Sequence, residues 1–303
     1  MPNTTTNITF PADLAAEMFT AVQGHSTLAR LSNARPQPFA GTTEFVFSMD
    51  GEAEIVGESA QKSANDAKVT PVKRVPVKFV YQHRVSDEFI KQSDEARVPA
   101  LKAFADGFAK KIARGLDIAA FHGINPKTGL ASEVVGSNNF DTLVTQTAAY
   151  NADAADDSLD ESIQLVLGAE REVSGLALSA VMGNALGKVK VNGVAQYPEF
   201  RFGGKPENFT GRPADVNTTI NKKIAEKTER DVAIVGDFAN AFKWGYAESI
   251  PLEVIEYGDP DGQGDLKRQN QVCLRSEAYI GWAILDAKSF ARVVETVSAG
   301  QTN

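Results

Sequence analysis

Hydrophobic positions along this chain change period several times, and each change marks an element. Phe45, Phe47 and Met49 alternate with polar residues, the period of a half-buried strand. Val75, Val77, Phe79 and Tyr81 alternate in the same way. Pro71 and Pro76 lie in or beside this second strand, which predicts an exposed ribbon rather than the middle of a sheet. Between the two runs stands DGEAEIVGESAQKSANDAK, Asp50 to Lys68, with only Ile55 and Val56 as sizeable apolar residues. Hairpin connections are usually ~2–5 residues, and loops beyond ~12–15 are functional or disordered. An isolated two-stranded ribbon is marginal in water, so this one calls for support from outside.

A period of three and four follows. Ser86-Asp87-Glu88 opens a short helix. Leu101, Phe104, Phe108, Ile112 and Leu116 then mark a helix from about Glu95 to Phe121, with Lys102, Asp106, Lys110 and Arg114 on its other face. Such a helix is roughly 40 Å long, beyond the usual three to four turns. Gly123, Asn125-Pro126 and Gly129 stop it.

Residues 131–155 show little periodicity. Ser158 and Glu161 form a capping box before Leu159, Ile163, Val166 and Leu167. GLALSAVMGN reads as a buried strand turning at Gly183-Asn184, and ALGKVKVNG as a short helix or turn. DVAIV, Asp231 to Val235, reads as a buried strand, FANAFKWGY as a short helix and IPLEVIEYG as a strand. QVCLRSEAYIGWAIL reads as strand–turn–strand, and a short SFARVVE piece closes the chain. Near the start, Leu14, Met18 and Val22 have helical spacing behind a polar Thr/Asn arm.

Composition narrows the function. The chain has 303 residues, 43% of them hydrophobic, enough for a substantial core in one large or two interleaved domains. The net charge of −8 argues against a dedicated nucleic-acid reader. One cysteine, Cys273, permits no internal disulfide and predicts intracellular folding. The N-terminus lacks a secretory signal, and no run approaches the ~18–20 apolar residues of a membrane span.

No candidate chemistry stands out. His25, His83 and His122 are far apart and lack metal-site spacing. Cys273 sits among apolar residues as a buried structural thiol. In DPDGQGD, Asp259, Asp261, Gln263, Gly264 and Asp265 match the start of a calcium loop, but Asn270 replaces the bidentate Glu, so an acidic turn is expected. RFGGKP lacks a phosphate-loop pattern, and Asp156, Asp157, Asp160 and Glu161 suit a helix start. The function is expected to lie in shape and surface.

Several stretches then carry a resemblance. AEIVGESAQKSANDAKVTPVKRVPVKFVYQHRVSDEFIKQS resembles the extended hairpin, return strand and following segment of the tailed-bacteriophage major capsid proteins, with Val85, Ser86, Glu88, Phe89, Ile90 and Ser93 in the last of these. IARGLDIAAFHGINPKTGLAS resembles the end of that family's spine helix. AVMGNALGKVKVNGVAQYP, FTGRPADVN, IVGDFANAFKWGYAESIPLEV with Gly236, Asp237 and Phe238, and VCLRSEAYIGWAILDAKSFARV resemble later segments in the same order. The resemblance runs from about residue 40 onward.

It implies an α+β chain with the HK-ninety-seven, or Johnson, fold. The expected parts are an N-terminal arm (1–40), an extended hairpin loop (41–84), a peripheral domain with the spine helix (85–130 and 266–303) and an axial domain (131–265). It implies a non-enzymatic shell protein without cofactor or metal. Such a protein assembles with itself as pentamers and hexamers around the double-stranded DNA of a tailed phage or prophage. Expected partners are a separate scaffolding protein, portal and head-completion proteins, and packaged DNA contacted non-specifically, with no membrane. Assembly is expected in the bacterial host cytoplasm, and residence in the virion. The hairpin would lie across a neighbouring subunit, with Glu52, Glu54, Glu58, Lys62, Asp66 and Lys68, and with Lys110 and Arg114 of the spine helix, at the contact. Many family members carry a helical scaffolding segment before the arm. About forty residues precede the hairpin here, hence the expectation that scaffolding is a separate protein or is not needed. A lysine–asparagine cross-link through Lys62 or Lys68 has no placed partner. The competing readings are an encapsulin-type compartment shell, a metal-assisted hydrolase using Asp259, Asp261 and Asp265, and an adhesin or tail-type protein.

Overall fold

In a computed structural model of the chain, the residues described are 25–49, 53–59, 61–62, 64, 66–91, 94–222, 224, 228–247 and 252–296. A four-stranded sheet, a six-stranded sheet and one long helix organise them, with two-stranded ribbons beside them.

The first sheet is built on a single strand. A short helix α1 (Thr27–Leu31) leads into the ribbon strands β1 (Thr42–Met49) and β2 (Ala67–Arg74). Strand β3 (Pro76–Ser86) follows, then a four-residue helix α2 (Asp87–Ile90) and the 29-residue helix α3 (Asp94–His122). Near the other end of the chain, β11 (Phe242–Tyr246), β12 (Leu252–Ile255) and the 14-residue β13 (Gln271–Ile284) complete the layer. β13 is central. β3 pairs along its whole length, from Ser86 opposite Gln271 to Pro76 opposite Gly281. β11 and β12 share its other edge. Val272, Leu274, Ala278, Ile280 and Trp282 recur on one face of β13 and are buried, whereas Arg275, Glu277 and Tyr279 are half-exposed. On α3, Phe108, Ile112 and Leu116 are buried in the same core as Ala278, Ile280 and Trp282.

The second sheet has six strands in the order β4 (Thr147–Ala149), β14 (Phe290–Thr296), β10 (Glu229–Gly236), β5 (Gly175–Leu178), β9 (Arg212–Val216) and β8 (Asn208–Phe209). Val232 to Gly236 of β10 are buried without a break, the near-continuous apolar run of a strand covered on both faces. Leu159 and Val166 of helix α5 (Ala155–Gly168) and Met182 and Leu186 of helix α6 (Ala180–Leu186) pack with Val232, Val235 and Val293. The short helix α4 (Phe140–Leu143) joins this layer to α3. Its Phe140 ring lies 5.4 Å from Phe121, 5.7 Å from Phe242 and 5.0 Å from Phe290, centroid to centroid. Such pairs add ~0.5–1.5 kcal/mol beyond area burial.

Several expected elements differ. The partner of β1 is β2, with Phe45 opposite Pro71 and Phe47 opposite Val69, while the run Val77–Tyr81 belongs to β3 and pairs with β13. A one-residue connection at Val75 separates the two roles. GLALSAVMGN is a strand followed by a helix, because the Ser179 hydroxyl accepts from the Met182 amide at 3.1 Å and caps α6. Helix α5 starts earlier than its capping box, and Ser158 bonds back to the Ala154 carbonyl at 3.1 Å. Phe242 to Tyr246 is a strand rather than the end of a helix, since β13 supplies its ladder. QVCLRSEAYIGWAI is one unbroken strand, and FARVVET is a strand beside β10. Pairing therefore crosses the expected domain limits. β14, from 266–303, joins the sheet built from 131–265, and β11 and β12, from 131–265, join β13.

Candidate inter-subunit surface

The ribbon has two unlike faces. Directly opposed residues share a face, so Phe45, Phe47, Val69 and Pro71 form one stripe and Glu44, Val46, Thr70 and Val72 the other. The stripe is open. Phe45 is 71% exposed, Phe47 58% and Val69 54%. The alternation of Phe45 and Phe47 predicts a buried face, and among the described residues nothing buries it. Single exposed apolar residues need no explanation, but contiguous ones mark interaction sites.

Beyond the strands, Glu54, Glu58, Lys62 and Asp66 are exposed, as is Ile55, and Lys68 is exposed within β2. Glu52 lies outside the described residues. The ribbon is rooted at Arg74, which is buried beside Glu44 at 3.7 Å, and burial lowers its pKa. On α3, Lys110 is exposed. Arg114 is half-buried and donates to the Thr218 hydroxyl at 3.1 Å, so its guanidinium ties α3 to the segment after β9 within the subunit. Of the expected contact set, Glu54, Glu58, Lys62, Asp66 and Lys68 lie on the ribbon and its connection, Lys110 lies apart on α3, and Arg114 belongs to a different tie. The apolar stripe was missing from that set. Its signal is the pairing of Phe45 and Phe47 with a proline and a valine, which emerges only from the register.

The arm is anchored first. Asp117, fully buried in α3, accepts from the Thr27 amide at 2.9 Å, the Leu28 amide at 3.3 Å, the Thr219 hydroxyl at 3.1 Å and the Ser26 hydroxyl. Burial pushes this carboxyl up to about 6, against the opposing pull of those donors. Arg30 donates to Asp215 at 2.7 Å and to Glu207 at 3.2 Å. Farther along, the Arg35 amide donates to the Trp244 carbonyl at 2.8 Å. Gly245 admits that approach, since a β-carbon there would fall on the Arg35 carbonyl. The arm thus reaches the ribbon along a fixed track.

The remaining candidates resolve structurally. Arg84 donates through Nε to both Asp261 oxygens, at 3.0 and 2.9 Å, and reaches Asp259 at 3.1 Å and the Gly264 carbonyl at 2.9 Å. This guanidinium holds the Asp261 carboxyl below its ordinary range. The acidic turn is a clamp on β3, and Asp259 and Asp261 are committed to Arg84 rather than to an ion. Asp265 accepts from the Arg268 amide at 2.9 Å within the same turn. Cys273 is a free thiol, buried, and burial raises its pKa. His25 and His83 are exposed, whereas His122 is buried among charged groups. Among the described residues, no helix is long and apolar enough to cross a membrane.

Comparison with known proteins agrees with this architecture. A structure from Mycobacterium phage Ogopogo superposes with a TM-score of 0.77 and 34% identity, covering 89% of this chain and 92% of the other. One from Gordonia phage Cozz gives 0.74 and 25% identity, over 90% and 87%. A chain from the capsid of an empty GTA particle, computed with C5 symmetry, shares the fold at 15% identity and a TM-score of 0.64, over 90% of both chains. No match is found among curated proteins. The model of the phage capsid family matches residues 6–294. With that match across most of its length, the chain belongs to the phage capsid family.

Proposed function

We propose that this chain is the major capsid protein of a tailed phage or prophage, and that its ribbon is completed by a neighbouring subunit. The protein is structural. Copies of it build a virion shell, which is icosahedral and encloses double-stranded DNA. The observation that carries the reading is the open stripe of Phe45, Phe47, Val69 and Pro71 on a ribbon that has no cover among the described residues. Fully burying a side chain such as Phe or Val contributes ~1.5–3 kcal/mol, so covering three of these yields several kcal/mol per contact. Repeated around a shell, such modest contacts suffice. They are heterologous, since the ribbon of one copy meets a different surface of the next, and closure follows when the repeat curves shut.

The charged tip supplies specificity. Glu54, Glu58, Lys62, Asp66 and Lys68 carry both signs within one exposed stretch. Polar pairs at a contact set register and partner choice more than affinity. The same reading assigns pentamers and hexamers as the working units, and a separate scaffolding protein, a portal and head-completion proteins as partners. It assigns packaged DNA held without sequence preference and assembly in the host cytoplasm. The six-stranded layer corresponds to the axial part and the layer of β13 with α3 to the peripheral part. The compartment-shell and hydrolase readings are not favoured, the latter because Asp259 and Asp261 already serve Arg84.

The test is assembly itself. Purified protein is followed by light scattering over a concentration series and imaged by negative stain. Closed shells, pentamers or hexamers are expected. A strict monomer at every concentration, also when co-expressed with the neighbouring genes of its cluster, contradicts the reading.

A further inference from the structure

A buried polar cluster lies where the long helix meets the six-stranded sheet. His122 is the last residue of α3, Asp141 lies in the first turn of α4, Asp231 in β10 and Arg292 in β14. The side chains of His122, Asp141 and Asp231 are each no more than 5% exposed. One ligand atom from each of these three lies within 4.8 Å of the others. The same residues, with Arg292, Lys222 and Glu229, line a cleft open to solvent. A β-bulge between Asp231 and Ala233 shifts the register of β10 against β14 at this point. Bulges commonly re-aim a side chain beside a site.

Three details are unusual for an ordinary ion-pair network. First, His122 Nε2 is 2.9 Å from the Thr219 carbonyl, so it must be the donor there, and in the neutral ring Nδ1 carries the lone pair. Nδ1 faces the carboxylates. Second, Nδ1 is 3.2 Å from both Asp141 oxygens. A charge-assisted N–H···O⁻ bond is usually ~2.7–2.9 Å and favours one oxygen. Ligand atoms ~2.0–2.1 Å from a tetrahedral zinc ion are spaced by roughly 3.3 Å. Third, Asp231 Oδ2 is buried with no hydrogen-bond donor, while its Oδ1 accepts from Arg292 Nε at 2.9 Å. A buried acceptor with nothing to accept from is costly.

We propose that His122 Nδ1, Asp141 and Asp231 Oδ2 bind a divalent transition-metal ion of the zinc type, with water from the cleft as the remaining ligand. The outer partners are already in place. The Thr219 carbonyl fixes the His122 tautomer. Arg292 holds Asp231 through Oδ1 and also donates to the Asp141 and Val144 carbonyls, at 2.9 and 3.3 Å. Metal-binding histidines and carboxylates are commonly oriented in this way. The ion would staple the end of α3 to α4 and β10, and so join the two layers of each subunit.

The experiment uses the full-length protein after chelator treatment. Zinc binding is measured by calorimetry, cobalt by its visible absorption, and the histidine rings by nitrogen NMR. One zinc per chain is expected, with a raised unfolding temperature. Of three histidines, only the His122 ring should shift, and at Nδ1. Asp141→Asn and His122→Ala each remove a direct ligand and should weaken zinc by at least on the order of a hundredfold, since loss of an outer partner alone costs ~10–100-fold. Glu161→Gln, on the exposed face of α5, should leave binding unchanged. The NMR readout needs no variant, so a variant that fails to fold does not leave the question open. Absence of saturable binding by zinc or cobalt overturns the proposal. So does binding that shifts His25 or His83 instead, or that survives both substitutions, and a proton shared by Asp141 and Asp231 then accounts for the cluster.

Discussion

Asp117 accepts the backbone amide of Thr27 at 2.9 Å, from ninety residues away in sequence. A carboxylate of the long helix thereby caps a five-residue helix in the arm. So short a helix is not stable alone, and it owes its first turn to this distant residue. Asp117→Ala leaves the Ser26 hydroxyl, the Thr27 and Leu28 amides and the Thr219 hydroxyl facing a gap. Each buried donor left unmet costs ~1–3 kcal/mol, and hydrogen bonds to a charged group lie at the higher end. The expected loss is about 3 kcal/mol in denaturant unfolding. A change below about 1 kcal/mol would mean that the arm holds without its cap.

The same carboxyl makes stability depend on pH. Burial raises Asp117 to about 6 in the folded chain, from 3.8 as its ordinary value. The folded state thus holds a proton that the unfolded state has released. Its contribution is fully present below about pH 4 and is lost as pH rises through about 6, up to on the order of 3 kcal/mol. Asp117→Asn removes the titration and keeps the shape. Unfolding of both proteins is compared at pH 4, 5, 6 and 7. The difference, wild type minus variant, should fall over that range. Parallel curves would show that the donors around Asp117 outweigh burial.

Much of this architecture is legible in the sequence, and the failures share a cause. The long helix announces itself because Leu101, Phe108, Ile112 and Leu116 repeat at helical spacing and all reach the core. β13 looks broken because Ser276, Glu277 and Gly281 read as turn residues. In the structure Ser276 is buried, and Gly281 lies against the Gln37 side chain. β11 looks helical because Phe238 and Phe242 stand four apart, yet pairing with β13 decides its state. β2 and β3 read as one strand around Pro71 and Pro76, and only their separate partners, β1 and β13, divide it. Each miss turns on a non-local partner. The cluster of His122, Asp141, Asp231 and Arg292 is the extreme case, since four separate elements contribute one residue each.

Gly245 illustrates a backbone approach that one methyl group would end. The Arg35 amide donates to Trp244, and Ala34 bridges the same strand in parallel. Gly245→Ala puts a β-carbon on the Arg35 carbonyl. Overpacking of this kind costs ~1–3 kcal/mol, and more where backbone must move. Unfolding should show a loss of about 3 kcal/mol. Limited proteolysis should newly cut near Arg35, because the arm is displaced from β11. Unchanged resistance at Arg35 would mean that the arm is held elsewhere.

The ribbon variants separate folding from assembly. Phe45 and Phe47 are exposed in the isolated chain, so Phe45→Ser with Phe47→Ser removes little that the monomer buries. Surface changes of this kind usually stay within ~0.5 kcal/mol per site. The same residues supply the stripe that a neighbouring copy would cover, worth several kcal/mol at each contact. Unfolding of the double variant should therefore match wild type within about 1 kcal/mol, while shell yield in light scattering collapses. Lys62→Glu with Lys68→Glu reverses charge at the tip without touching the stripe. It should slow assembly, with the defect fading at high salt, because exposed charges are screened over ~10 Å at 0.1 M. If instead the double serine variant assembles normally and the lysine variant does not, the tip rather than the apolar stripe drives the contact.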